Sequence, residues 1–321
     1  MKLGVLTAAL HSMPLEKVLS YLHDRGVQTV EIGTGGYTGK AHLDPAKLLG
    51  NGDAIREIRA LFEKYEMEIS ALSPHGNPVH PDKEAAERFH RDFEDSVLLA
   101  EQLNVDTIVT FSGCPGDCPA SRHPNWVVCP WPEDFLRILD YQWNEVLIPY
   151  WKKAAAFAKS HGVTKIALEM HPGFCVYNPE TLLRLREAVG DSIGANFDPS
   201  HLVWQGMNPV EAIRSLGDAI YHFHAKDTHL DKTNGAKNGY LDTKPYSHIP
   251  ERAWSFRTVG YGHDTALWKE IMSALRMVGY DGAISIEHED ALMNAEEGLN
   301  KAIAFLKDIL IFEKNGEMFW V

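Results

Sequence analysis

Short apolar runs recur along this chain, most of them closing on a polar residue and most followed by a stretch with amphipathic-helix spacing. Residues 2–7, 27–32, 68–72, 105–111, 165–169, 193–198, 219–224 and 283–287 form the series. Brief apolar runs bounded by turn residues predict buried parallel strands. Pro14 opens a helix at its first turn, with Leu15, Val18, Leu19 and Leu22 on one face, and Gly26 closes it. Residues 51–65 set Ile55, Ile58, Leu61 and Phe62 on a common face. Residues 82–103, 133–161 (one or two helices), 179–189, 208–216, 268–277 and 294–312 supply the remaining helices. Alternation of this kind predicts an α/β fold, a single (β/α)8 barrel over residues 1–321.

Two stretches interrupt the alternation and predict long loops after strands 4 and 7. Residues 112–131 carry Cys114, Cys118, His123, Trp126, Cys129 and Trp131, and residues 227–257 are polar with little periodicity. Loops this long in a compact domain usually act as lids or binding loops. The cysteine spacing is not a common zinc pattern, so free thiols packing the loop are expected. The glycine-rich residues 33–40 are not a phosphate loop: Thr34 replaces the first glycine and Ala41 follows Lys40. A flexible loop beside the site is expected there.

Composition narrows the function. Lys and Arg total 31 against 44 Asp and Glu, a formal net charge of −13. That balance argues against non-specific nucleic-acid binding, which needs clustered cations. No apolar run reaches membrane-span length, and the first residues lead straight into a strand without a signal-peptide pattern. Four cysteines argue against a disulfide framework. A cytoplasmic protein with neither membrane nor nucleic-acid partners is expected.

In an α/β barrel, residues at the C-terminal ends of the strands build the site. Glu169, Asp198, His224 and Glu287 stand at four such ends. Three carboxylates and one imidazole suit a hard divalent ion. The imidazole tilts the choice from Mg²⁺ towards Mn²⁺, Co²⁺ or Zn²⁺, with Mn²⁺ expected first. No cysteine joins the set, against a closed structural zinc site.

His171, two residues after Glu169, shares its face and predicts either a proton shuttle or a strand-end cap before Pro172. His222 lies deeper than His224 and reads as a packed core residue. Lys226, in phase with both, is placed either on a substrate oxygen or in a pair with Asp227 or Glu287. His75 sits at the mouth of strand 3, and Arg257 can bring a guanidinium from the long loop. Trp126 and Trp131 either cover a sugar face or pack their loop down. His288 and Glu289 are expected against the last loop.

The segments Asp198, Pro199, Ser200, His201 and His222, Phe223, His224, Ala225, Lys226, Asp227, with Glu169 before and Glu287 after, carry a family resemblance. The chain resembles, over nearly its whole length, the sugar phosphate isomerase/epimerase-like TIM barrels. That superfamily includes xylose isomerase, ketose 3-epimerases, inosose-processing enzymes and apurinic endonuclease IV. The resemblance implies that Glu169, Asp198, His224 and Glu287 bind one divalent ion and that His201 faces substrate. It implies that Glu169 and Glu287 double as ligands and acid/base pair, moving a proton beside a carbonyl that the ion polarises, through an enediolate.

Two departures set the substrate pocket apart from the ketose 3-epimerases. A substrate-binding Glu six residues after the first metal Glu is replaced by Cys175, and an Arg six residues after the metal His is replaced by Leu230. The expected function is therefore a metal-dependent isomerase or epimerase acting on an unphosphorylated ketose, keto-sugar or inosose. Its catalytic set is Glu169, Glu287, His171 and His201, and its substrate set His75, Lys226, Arg257 and Trp126. The first alternative is a dehydratase or lyase on a keto-sugar or 3-keto-glycoside, by the same proton abstraction followed by β-elimination. A phosphodiesterase of the endonuclease IV type comes third: Asp227 and His229 echo its metal spacing, but the net charge opposes it. A homo-oligomer is expected by analogy alone.

Overall fold

In a computed structural model, residues 1–314 and 316–320 are described. The ten strands are β1 (Lys2–Leu6), β2 (Thr29–Gly36), β3 (Glu68–His75), β4 (Thr107–Phe111), β5 (Lys165–Glu169), β6 (Ile193–Phe197), β7 (Ile220–Ala225), β8 (Asp227–Leu230), β9 (Trp254–Arg257) and β10 (Ala283–Ile286). Eight of them close into one barrel in the order β1-β10-β7-β6-β5-β4-β3-β2. Every pairing in it is parallel. Helices ring it outside, so most of each strand is covered on both faces and reads as a nearly unbroken apolar run. The predicted (β/α)8 barrel is the fold observed.

Outward-facing Val30, Ile32, Leu72, Ile108, Ile166, Leu168 and Ile193 join the core shared with the helices, which contributes Leu19, Leu22, Phe93, Val97, Trp151, Leu185, Ile271 and Leu306. The inner layer is different. Ala71, Val109 and Ala167 fill it with small side chains, and above them lies a polar layer of Glu31, Ser73, Asn196, His222, His224 and Ser285, all buried. Buried polar groups persist only when partnered, which makes this layer the base of a site. Among the described residues, no helix is long and apolar enough to cross a membrane.

Three departures from the expected elements bear on that site. The glycine-rich segment is tied down, not flexible: β2 runs on to Gly36, and Asp92 binds both the Gly36 amide at 2.8 Å and Lys40 Nζ at 2.5 Å. Gly36 has φ +59°, and a Cβ there would lie 1.6 Å from the His75 carbonyl oxygen, so only glycine lets the two strand ends meet. The polar stretch after β7 is ordered as the antiparallel pair β8–β9, Asp227 opposite Arg257, with the helix Lys232–Asn238 between. Trp254 and Phe256 anchor it against Trp204. Finally, a short helix, Pro199–Trp204, starts at Asp198, whose Oδ1 accepts from the Ser200 amide at 2.8 Å.

Candidate metal centre and active site

The strand ends deliver four ligand-bearing residues to one point. Glu169 closes β5, Asp198 follows β6, His224 lies near the end of β7 and Glu287 follows β10. One ligand atom from each lies within 4.8 Å of all the others. His224 Nδ1 is 3.3 Å from Glu169 Oε2 and 3.2 Å from Glu287 Oε2.

Orphaned atoms test whether an ion fits. Asp198 Oδ2, His224 Nδ1 and Glu287 Oε2 are all buried and lack an aligned hydrogen bond. Such groups are costly unless something else satisfies them. Charge points the same way. Burial, opposed by Lys226 but reinforced by Glu169 and Glu287, pushes the Asp198 carboxyl up to about 7. A further positive charge is what this crowd of carboxylates lacks, and three oxygen donors with one imidazole suit a divalent ion.

The surroundings fix each ligand. His224 Nε2 donates to Glu31 Oε2 at 2.8 Å, which leaves Nδ1 for the centre. Glu31 also accepts from the hydroxyls of Ser73 and Ser285. Burial alone would raise the Glu31 carboxyl, but His224 and His222 beside it hold it down at about 2. Glu169 receives His75 Nε2 at 3.1 Å on Oε2 and lies 3.0 Å from His201 Nε2 on Oε1. Despite its burial, these imidazoles and His224 hold its carboxyl well below the usual range. Burial, with His171 and Lys226 nearby, keeps His201 neutral. Burial does the same to His171, whose ring is tilted against that of His201 with centres 4.0 Å apart.

Lys226 is almost fully buried and lies 3.1 Å from Asp198, 2.6 Å from Glu287 and 2.9 Å from Glu289. Of the two pairings considered for it, the one with Glu287 forms and the one with Asp227 does not.

The family model for xylose isomerase-like TIM barrels matches residues 19–309. The chain belongs to that family. Within it, the chain is 41% identical over 313 residues to the uncharacterized protein YfiH of Bacillus subtilis, covering 97% of this chain and 99% of YfiH. It is 28% identical over 170 residues to an inosose dehydratase of Clostridium botulinum, spanning 52% of this chain and 54% of that enzyme. Among solved structures, IolI protein with a bound zinc atom superposes at a TM-score of 0.67 with 20% identity, covering 97% of this chain and 98% of IolI.

Other expected site residues of this family member lie elsewhere. Trp126 stacks edge-on with Tyr177 at 5.6 Å and lines a separate cavity with Cys175 and Arg184, so its loop packs down away from the centre. Arg257 Nε is engaged by Asp290 at 3.1 and 3.2 Å. His222 is a core residue, bonded to Asn196 and Ser70 and held neutral near 4 by burial. Asp227 accepts from the amides of Gly260, Gly262 and His263 and from Trp268 Nε1, while His229 is exposed, so that pair does not extend the metal cluster. His288 reaches the Met293 carbonyl in the last loop, whereas Glu289 turns to Lys226. Among the described residues, no metal-spaced cluster includes a cysteine.

Glu31, inside the predicted strand 27–32, is a site residue that the strand-end pattern does not single out. The available signal was a carboxylate inside a run covered on both faces, where an unpaired charge is prohibitive.

Proposed function

We propose that this protein is a divalent-metal-dependent isomerase or epimerase that moves a proton on a carbon beside the carbonyl of an unphosphorylated ketose, keto-sugar or inosose. The observation that carries the reading is the convergence of buried ligand atoms from Asp198, His224 and Glu287 with Glu169, so placed that carboxylates from the non-adjacent strand ends of β5 and β10 flank one point. Glu169, Asp198, His224 and Glu287 would hold the ion, Mn²⁺ first among Mn²⁺, Mg²⁺, Co²⁺ and Zn²⁺. Bound there, it supplies Lewis-acid polarisation of a ketone and its neighbouring hydroxyl.

The chain's own residues do the rest. Glu169, oriented by His75 and His201, and Glu287, oriented by Lys226, form the acid/base pair: one takes the proton and the other returns one. Neutral His201 and His171 offer hydrogen bonds to sugar hydroxyls. The cavity above the centre is lined by no Lys or Arg and by one acid, Glu289, which supports a substrate without phosphate.

A second reading, a dehydratase or lyase, is favoured by Lys226. Its buried ammonium, 2.6 Å from Glu287, sets a proton source beside the acid/base pair from which a departing hydroxyl would be protonated, and the relationship to an inosose dehydratase points the same way. The test is a panel of ketoses, inososes and 3-keto-glycosides incubated with the metal-loaded protein and followed by mass spectrometry. A product of unchanged mass supports the isomerase. Loss of water or of an aglycone supports the second reading, and no conversion with any of the four ions contradicts both.

A further inference from the structure

Directly above the metal cluster lies a cavity of about 550 Å³. Its lining residues touch the site residues beneath. His171, in its wall, contacts His201 with the rings tilted; Glu289, in its rim, binds Lys226; and Phe111 meets His75 edge-on with ring centres 4.7 Å apart. One wall is Tyr37, Phe111 and Phe174, with the two phenylalanines stacked at 4.3 Å and 16°. The other is Tyr246 and Phe256, stacked at 5.7 Å and 25°, and it belongs to the ribbon inserted after β7. Phe256 also contacts the site below, with Lys226 Nζ 4.6 Å from its ring centre.

This chamber is more than one sugar ring requires. Its volume falls within the roughly 300–1,000 Å³ that holds a drug-sized ligand. Its walls are also wrong for a second polyhydroxylated ring, which needs many hydrogen-bonding groups, because the lining is mainly aromatic and aliphatic. Aromatic walls favour a planar apolar group, held by offset or edge-on stacking. The polar demands of the substrate are met lower down, where His171, His201, Lys226 and the carboxylates converge.

We infer that the substrate is a two-part molecule, a keto-sugar glycoside whose planar apolar aglycone occupies the chamber between Phe174 and Tyr246 while its sugar ring sits over Glu169 and Glu287. The inference rests on the proposed keto-sugar chemistry and names the substrate class that the same site takes. The two aromatic walls act as the specificity determinant that distinguishes such a glycoside from a free ketose.

The test is calorimetric titration of the Mn²⁺-loaded protein with 4-nitrophenyl β-D-glucopyranoside and with methyl β-D-glucopyranoside, in the wild type and in Phe174→Ala and Tyr246→Ala. Tyr246 is 58% exposed, so its truncation is compatible with folding. The expected result is at least tenfold tighter binding of the nitrophenyl glycoside, falling below threefold in each variant. Equal affinities in the wild type, no binding of the nitrophenyl glycoside, or a preference that survives both substitutions would overturn the inference. Deuterium uptake from D₂O by a free inosose is read in parallel. Uptake without an aryl preference removes the aglycone chamber and leaves the proposed reaction standing, while an aryl preference without uptake supports the chamber and counts against the reaction.

Discussion

His224 gives its Nε2 proton to Glu31 at 2.8 Å, and that single bond decides which nitrogen faces the carboxylates. A carboxylate behind a ligating imidazole fixes its tautomer and raises its basicity, and removing such a partner typically costs about 10–100-fold in metal affinity. Glu31→Gln keeps the size of the side chain but offers a weaker, ambiguous partner. Calorimetric titration with Mn²⁺ should show affinity falling by about that factor. If Glu31 served the fold alone, the melting temperature would drop while the affinity stayed constant.

Proton competition should make ion binding depend on pH. Asp198 holds its proton up to about 7 because burial and the two glutamates outweigh Lys226. Its folded value lies above the ordinary 3.8, so the ion-free protein gains stability from that proton at low pH and loses it as pH rises through about 7. Ion binding displaces that proton, and one from His224 as well, whose imidazole, despite burial, is held protonated above its ordinary range by Glu31 and Glu287, so affinity should fall at least about tenfold per pH unit below that point. Mn²⁺ titrations at pH 6, 7 and 8 test this. Asp198→Asn should bind weakly and show a shallower slope.

Binding only to the folded state should also raise thermal stability. At a free ion concentration of about 100 times Kd the gain is about 2.7 kcal/mol, which for a chain of this size is a rise of roughly 4 °C. Melting curves with Mn²⁺ and with EDTA measure it. The same shift in a Glu287→Ala, Asp198→Ala double variant would place the ion elsewhere.

Asp227 does different work from the carboxylates near it in sequence. It gathers the amides of Gly260, Gly262 and His263, the indole of Trp268 and the ring of His263 at 2.8 Å. Asp227→Ala strands these donors and should cost about 2–4 kcal/mol. The hydrogen bond to Asp227 raises the pKa of half-buried His263. A raised folded value stabilises the protonated form. The contribution is therefore full below the ordinary 6.5 and is lost as pH climbs through the raised value. Chemical denaturation of His263→Gln against wild type should show a larger deficit at pH 5.5 than at pH 8.5.

The barrel was legible because its strands are apolar on both faces and its helices on one, so the two periods alternate openly along the chain. The four ligand-bearing residues were legible for a related reason: each interrupts an apolar run at the end that a barrel turns towards its mouth. Glu31 was hidden because its partners, His224 and Ser285, lie 193 and 254 residues away. Separation in sequence also hid the bond between His75 and Glu169, which are 94 residues apart. The pairing of Lys226 with Glu287 was open in the sequence beside one with Asp227, whereas Glu289, expected against the last loop, reaches Lys226 only because β10 closes beside β7. The β8–β9 ribbon escaped notice because four-residue strands separated by a long polar insert show no period, and its anchor, Trp204, lies in a helix of six residues.

In the proposed reaction Glu169 and Glu287 exchange a proton on a carbon beside a carbonyl. The most direct measurement is NMR of a keto-sugar or inosose incubated in D₂O with the Mn²⁺-loaded protein, alongside Glu169→Gln and Glu287→Gln loaded to equal metal content. The proposed reaction requires deuterium at that carbon with wild type, and a rate lowered about 10²–10⁴-fold in at least one variant. Equal deuterium uptake in wild type and both variants, or product formed without any uptake of solvent deuterium, would contradict it.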